Sequence, residues 1–310
     1  MEKSFTTITR LELSRHKFTS KPQLLAELAA FAFSSGNIKL GRGTLSLQLI
    51  SETEEVILRI VSIIKRLYNS LPEIKAIEKN QPKRHMVFML EITPESPEGQ
   101  LLFEIGLLEG VCEDYSFGTI NKKVFEPEGC FEAALRGAFL GCGVLCDPKK
   151  SYRLEFVLSH DEFNSFLYES LIERGILAKK TERKGNNIIY IEQIEFVSDS
   201  LIMMGAASAM LQLETISVDK AMKNKTNRTN NCIIANIDRT VTAAQRQIED
   251  NNALYKANVK LSKTLKEACE LRLNNPEASL LELAEISGDT TKSALNKRFI
   301  KIRELRENLQ

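Results

Sequence analysis

The stretch LRGAFLGCGVLCDP, Leu135 to Pro148, decides how the rest of the chain is read. It is the end of a longer apolar run, CFEAALRGAFLGCG (Cys130–Gly143), whose composition and length suit a buried helix closed by glycine. A strand follows, and Asp147-Pro148 marks its turn, because proline presets φ and aspartate hydrogen-bonds its own backbone two residues on. VLCDPKKSYRLEFVLS is therefore expected to be a hairpin, and DEFNSFLYESLIERGI an amphipathic helix with an acidic start. AKKTERKGNNIIYIEQIEFV supplies a second hairpin, with its turn expected at Gly185-Asn186.

The same order of elements occurs earlier in the chain. KPQLLAELAAFAFSSG (Lys21–Gly36) reads as a helix with proline in its first turn, and NIKLGRGTLSLQLIS as a hairpin around Gly41-Arg42-Gly43. TEEVILRIVSIIKRLY places Val56, Ile60, Ile63, Ile64 and Leu67 on one helix face, and IKAIEKNQPKRHMVFMLEI is a hairpin turning near Asn80-Gln81-Pro82. Both halves read α-β-β-α-β-β, and their first helices end at Gly36 and Gly143. Helices on one face of each sheet would leave the other face open. The hairpins there carry Lys39, Arg42, Lys75, Lys83, Arg84, Lys149, Lys150, Arg153, Lys179, Lys180, Arg183 and Lys184. A concave basic sheet of this kind could follow DNA as β-ribbon readers do, with Arg42, Lys83, Arg84, Lys149, Lys150, Arg153, Lys180, Arg183 and Lys184 as secondary contacts.

Composition bounds the alternatives. The chain has 310 residues, 43% hydrophobic and 27% charged, which suits a globular protein of more than one unit. No apolar run approaches the roughly 20 residues of a membrane span, and MEKSFTTITRLELSRHKF lacks the layout of a secretory signal, so a cytoplasmic protein is expected. Six irregularly spaced cysteines suit buried thiols; Cys142 and Cys146 have no second pair to complete a zinc site, and no metal or cofactor is expected.

Net charge is only +1, but it is unevenly spread. From Lys220 onward there are 17 basic and 11 acidic residues, against 25 and 30 before it, an asymmetry that hints at a nucleic-acid-binding end. The boundary falls at KAMKNKTNRTNNCIIANIDRT (Lys220–Thr240), where crowded asparagines favour turns. The expected organisation is thus a duplicated domain over 1–218, with repeats over about 1–110 and 120–218, a linker over 219–240, and a helical domain over 241–310.

In that last domain TVTAAQRQIEDNNALY is expected to be a connecting helix with Val241, Ala244 and Ile248 inward. LSKTLKEACELRLNN forms the next helix, with Leu261, Leu265, Ala268 and Leu271 or Arg272 near one stripe, closed by Asn274-Asn275-Pro276. Ser279 and Glu282 have the spacing of a capping box, and Gly288 suits a left-handed turn residue. The last helix turns Leu295, Phe299 and Ile302 inward and presents Thr291, Lys292, Ser293, Asn296, Lys297 and Lys301 outward, with Arg298 at the flank. Asparagine can pair bidentately with adenine and lysine can reach guanine or phosphate, so this helix-turn-helix order points to duplex DNA.

LRGAFLGCG resembles the signature helix of LAGLIDADG homing endonucleases, and LAAFAFSSG (Leu28–Gly36) resembles an eroded first copy. The resemblance implies two helices packed at a pseudo-twofold, each presenting an acid to metal at its penultimate position; here those positions hold Ser35 and Cys142. Neither is a good magnesium ligand, so cleavage is not expected. With NRTNNCIIANIDRTVTAAQRQIE and LRLNNPEASLLELAEISGDTTKSALNKRF, the chain resembles the WhiA family over nearly its whole length. That resemblance implies an α+β fold, a duplicated αββαββ LAGLIDADG-like domain followed by an all-α helix-turn-helix domain. It also implies a nucleoid-associated transcription regulator linked to sporulation, cell division or chromosome segregation, with double-stranded DNA and transcription or cell-division proteins as partners. An internal duplication already supplies the twofold, so a monomer is expected. The competing expectations are a Mg-dependent endonuclease with displaced acids, for example Asp147 and Glu132, and a protein-interaction scaffold.

Overall fold

Two four-stranded antiparallel sheets with the same strand order make up the β-structure of the duplicated region, in a computed structural model that describes residues 3–41, 44–79, 85–111 and 114–308. A helix absent from the sequence reading comes first: α1 (Phe5–Ser14), whose Ser4 cap accepts the Thr7 N–H. The first repeat comprises α2 (Lys21–Ser35), β1 (Gly36–Gly41), β2 (Thr44–Ser51), α3 (Glu54–Tyr68), β3 (Lys75–Lys79) and β4 (His85–Ile92). A connecting passage adds α4 (Gln100–Glu104) and the small hairpin of β5 (Leu108–Val111) and β6 (Asp114–Phe117).

The second repeat is α5 (Cys130–Cys142), β7 (Gly143–Leu145), β8 (Leu154–Leu158), α6 (Asp161–Glu173), β9 (Lys179–Arg183) and β10 (Asn186–Ile191), with α7 (Ile194–Met204) after it. The sheets run β1-β2-β4-β3 and β7-β8-β10-β9. Pairing of Asn186 with Arg183 puts the last turn at Lys184-Gly185, both left-handed (φ 55° and 75°), one residue before its expected place. The expected turns at Arg42-Gly43 and Asn80-Gln81-Pro82 lie outside the described residues.

The chain continues as α8 (Ala207–Lys256), α9 (Lys263–Asn274), α10 (Leu280–Ser287) and α11 (Lys292–Glu307), and contacts divide it into Met1–Asp219 and Lys220–Gln310. The asparagine-rich segment Lys220–Thr240, expected to be a turn-rich linker, is helical throughout. Asparagine disfavours a helix interior by only several tenths of a kcal/mol, whereas extending an existing helix adds one bond for each residue ordered. Packing anchors α8 on both sides of the segment, through Ala209 and Leu213 in the first unit and Ala244 and Leu254 in the second. Val241, expected inward, is exposed, because the buried stripe of α8 in this unit begins at Ala244.

The core of the first unit is built on α2 against α5. Ala26, Ala29 and Ala30 on α2, with Ala133, Ala134 and Ala138 on α5, are buried, and small side chains let the two backbones approach closely. At Gly137 a Cβ would stand 2.1 Å from the Glu27 carbonyl oxygen, so only glycine fits.

Glu27 is itself fully buried, and two guanidiniums neutralise it. Arg59 of α3 donates through Nε at 2.5 Å and Nη2 at 2.9 Å, and Arg136 of α5 donates through Nε at 2.9 Å. Each guanidinium makes a further bond: Arg59 Nη1 reaches the His16 carbonyl at 2.6 Å, and Arg136 Nη1 the Met204 carbonyl at 3.0 Å. One carboxylate thus ties both repeats to the ends of α1 and α7. Glu27→Gln leaves two buried cations without a counter-charge and is expected to destabilise the first unit by about 3–5 kcal/mol, measured by denaturant unfolding. A loss below about 1 kcal/mol would show that water or another group compensates the arginines.

Candidate nucleic-acid interface

In the second unit α9, α10 and α11 pack around Leu265, Ala268, Cys269, Leu283, Leu295, Phe299 and Ile302, with Leu254 contributed by α8. Arg272, one of the two alternatives for the inward stripe of α9, is the buried one: its Nε donates to Gln247 Oε1 at 2.9 Å and its Nη1 to the Asn275 and Ala278 carbonyls. Burial lowers its pKa, and the paired carbonyls keep the guanidinium fixed beneath the α9–α10 turn. Asn251 joins α8 to α9, donating to the Cys269 carbonyl and accepting from its thiol at 3.1 Å.

The turn preceding the last helix is set by local chemistry. Ser279 Oγ accepts the Glu282 N–H at 3.3 Å while Glu282 Oε2 accepts the Ser279 N–H at 2.6 Å, a complete capping box. Gly288 ends α10 at φ 67°, and Thr291 caps α11 by accepting the Ala294 N–H. This punctuation leaves Thr291, Lys292, Ser293, Asn296, Lys297 and Lys301 exposed on one side of α11 and Arg298 half-buried at its flank, opposite the buried Leu295, Phe299 and Ile302. A cleft of about 380 Å³ opens beside them, where Arg239 of α8 and Lys292 of α11 approach the start of α10 at Ser279. Arg239 lines this cleft although sequence reasoning passed it over, since it lay in the segment read as linker.

The open faces of the two sheets are less basic than the list of hairpin cations suggests. On the first, Glu91 binds Lys75 at 2.9 Å and also accepts from Ser46 and Gln48. On the second, Arg153 donates to Glu155 at 2.5 Å and Glu192 at 2.7 Å, Lys179 pairs with Glu192, and Arg183 lies 3.6 Å from Glu155. Lys180 was expected on that open face, but its register opposite Ile189 turns it to the helix layer, where it stands 4.3 Å over the Tyr168 ring of α6. Lys149 and Lys150 are exposed in the Asp147 turn, Lys184 occupies a left-handed turn position, and Arg42, Lys83 and Arg84 lie outside the described residues.

At the penultimate helix positions, Ser35 Oγ donates back to the Phe31 carbonyl at 3.0 Å. Desolvation pushes the Cys142 thiol up to about 12, so it is neutral near pH 7. The Arg10 guanidinium stands nearby, held by the Gly143 carbonyl at 3.0 Å. Asp147 accepts the Lys149 N–H and closes its own turn, while Glu132 lies in the first turn of α5, ten residues and about 15 Å along the axis from Cys142. Glu132 is therefore remote from the penultimate position of its helix. Among the described residues no group of three His, Cys, Asp or Glu side chains is placed to hold a metal ion.

The hydrogen bond from Lys75, with those from Ser46 and Gln48, holds the Glu91 carboxyl down to about 2. Its folded-state pKa is depressed, so the stability it adds is present above its ordinary value of 4.5 and is lost as pH falls toward 2. Glu91→Gln is expected to flatten the acid limb of the thermal unfolding curve across that window; an unaltered limb would mean the cluster forms equally in the unfolded chain.

A family model for the WhiA N-terminal LAGLIDADG-like domain matches residues 22–108, one for the WhiA LAGLIDADG-like domain matches 131–223, and one for the WhiA C-terminal HTH domain matches 226–306. A probable cell division protein WhiA from Clostridium botulinum (strain Eklund 17B / Type B) is 32% identical over 311 residues, covering 99% of each chain. A protein of the same name from Alkaliphilus metalliredigens is 34% identical over 308 residues and 97% of each chain. The crystal structure of full-length DUF199/WhiA from Thermatoga maritima covers 99% of both chains with a TM-score of 0.60 at 23% identity, a likeness of fold.

Proposed function

Because the chain belongs to the WhiA family, we propose that it is a sequence-specific DNA-binding regulator of transcription, without nuclease activity, acting at the nucleoid in cell division, chromosome segregation or sporulation. The observation that carries this reading is the exposed face of α11, with Lys292, Ser293, Asn296 and Lys297 presented in its first turns behind a capped α10 and a left-handed glycine. Helix-turn-helix modules set the N-terminal residues of such a helix against base edges in the major groove. Asn296 would take adenine through its amide, and Lys292, Lys297 and Lys301 would meet guanine or phosphate. Thr291 and Ser293 hydroxyls and the half-buried Arg298 suit the backbone at the groove edge.

The duplicated unit contributes a scaffold with limited electrostatic reach, because Glu91, Glu155 and Glu192 take up much of the positive charge on its sheets. Lys149, Lys150 and Lys184 are the described cations best placed for a secondary backbone contact. The absence of cleavage is supported by the neutral Ser35 and Cys142 and by the distance of Glu132 from Cys142 along α5. No helix among the described residues is long and apolar enough to cross a membrane, in keeping with a cytoplasmic site of action.

Lys292→Ala, Asn296→Ala and Lys297→Ala together are expected to abolish sequence-selective binding by the full chain, each lost base contact costing about 1–3 kcal/mol. Magnesium or manganese should yield no cut or nicked product. Undiminished selectivity in the triple variant would move recognition off α11, and metal-dependent cuts would restore the endonuclease reading.

A further inference from the structure

The arm of α8 between the two units' cores is a long exposed helix with no packing role. Every residue from Ala221 to Arg239 is exposed, so tertiary contacts do not explain the helix there. Its composition is costly for that conformation: Asn224, Asn227, Asn230, Asn231 and Asn236 each disfavour a helix relative to alanine. Charge along it is one-sided, with Lys223, Lys225, Arg228 and Arg239 against Asp238 alone.

The spacing gives the polar residues a direction. Asn224, Asn227, Arg228 and Asn231 recur at i, i+3, i+4 and i+7, and Ala235 and Arg239 continue the same face. Thr226 and Thr229 turn their hydroxyls back onto the carbonyls of Met222 and Lys225, as threonines in a helix commonly do. Among the described residues, no hydrogen bond holds the amides of Asn224, Asn227 and Asn231. A face of unengaged amides interleaved with arginine and a small methyl is suited to base edges: amides pair with adenine, arginine with guanine, and a methyl packs on thymine. An acidic protein partner would be met by cations and has no use for a row of amides.

We propose that this arm is a second DNA-reading helix, entering the major groove with Asn224, Asn227, Arg228 and Asn231 beside the bases contacted by α11. The proposal rests on the reading of the second unit as a DNA-binding module. Continuity with that module is direct, since Arg239 at the end of the arm and Lys292 at the start of α11 line one cleft. Continuous basic helices are known to cross the major groove in this manner, and the nineteen residues of the arm extend about 28 Å, more than the roughly 12 Å width of the groove.

The test uses the full chain and duplexes enriched by it from a random-sequence pool. Asn224→Ala, Asn227→Ala and Asn231→Ala combined raise helix propensity and bury nothing new, so far-UV circular dichroism should show no loss of helix. Affinity for the enriched duplexes should fall by about a hundredfold or more, while affinity for unselected duplexes stays the same. Base-interference footprinting of the arm variant should lose one block of positions and keep the block contacted by α11. Unchanged affinity and footprint in the arm variant would overturn the proposal, as would an equal loss on every duplex, which would mean a backbone clamp and no base reading. Should the α11 variant be the one without effect, it is the function assigned to that module that falls.

Discussion

The Gly137 Cα rests against the Glu27 carbonyl, and the architecture of the first unit depends on that approach of two helix backbones. A Cβ at this point would stand 2.1 Å from the oxygen. Because α2 and α5 are drawn so near, their flanking positions must be alanines, and bulk is moved outward to Phe31, Phe139 and the aliphatic residues that meet the two sheets. The Glu27 carboxylate in the same region would be intolerable alone; two arginines, from α3 and α5, make it tolerable and in doing so fix the ends of α1 and α7. Packing and electrostatics at this centre are therefore one constraint.

That centre also explains how a LAGLIDADG-like fold can persist without its acids. The helix pair is held by glycine, alanine and a buried ion cluster some turns away from Ser35 and Cys142, so the penultimate positions are free to be neutral. The second unit is organised differently: its small core is sealed by the buried Arg272 and by two side-chain caps, and most of its polar surface stays open to a partner.

Much of this was legible in the sequence, for physical reasons that can be named. Glycine at Gly36 and Gly143, proline at Pro22 and the period of Val56, Ile60, Ile63 and Ile64 mark helices whose burial follows from pattern alone. The Ser279–Glu282 box and Gly288 are local devices, complete within a few residues, and so readable without tertiary information. Long-range chemistry was not. Nothing in LLAELAAF announces that Glu27 is buried, because its partners are 32 and 109 residues away. The hairpin lysines and arginines looked basic only while Glu91, Glu155 and Glu192 were counted elsewhere; strand register puts them side by side. The asparagines of α8 were read through their local preference for turns, which the cooperativity of a helix packed at both ends overrides.

Glu27 has one further consequence, for the ancestry of the duplication. Aligning the halves on Gly36 and Gly143 places Ala134 opposite Glu27 in the other repeat and Ala29 opposite Arg136. The twofold is thus kept in the backbone and broken in the charge. Two copies of the first half brought together would keep one Arg59 for each Glu27, whereas two copies of the second half would bury a pair of Arg136 guanidiniums with no carboxylate between them. The second half therefore takes its counter-charge from the first, and the duplication has become a one-way dependence of one repeat on the other.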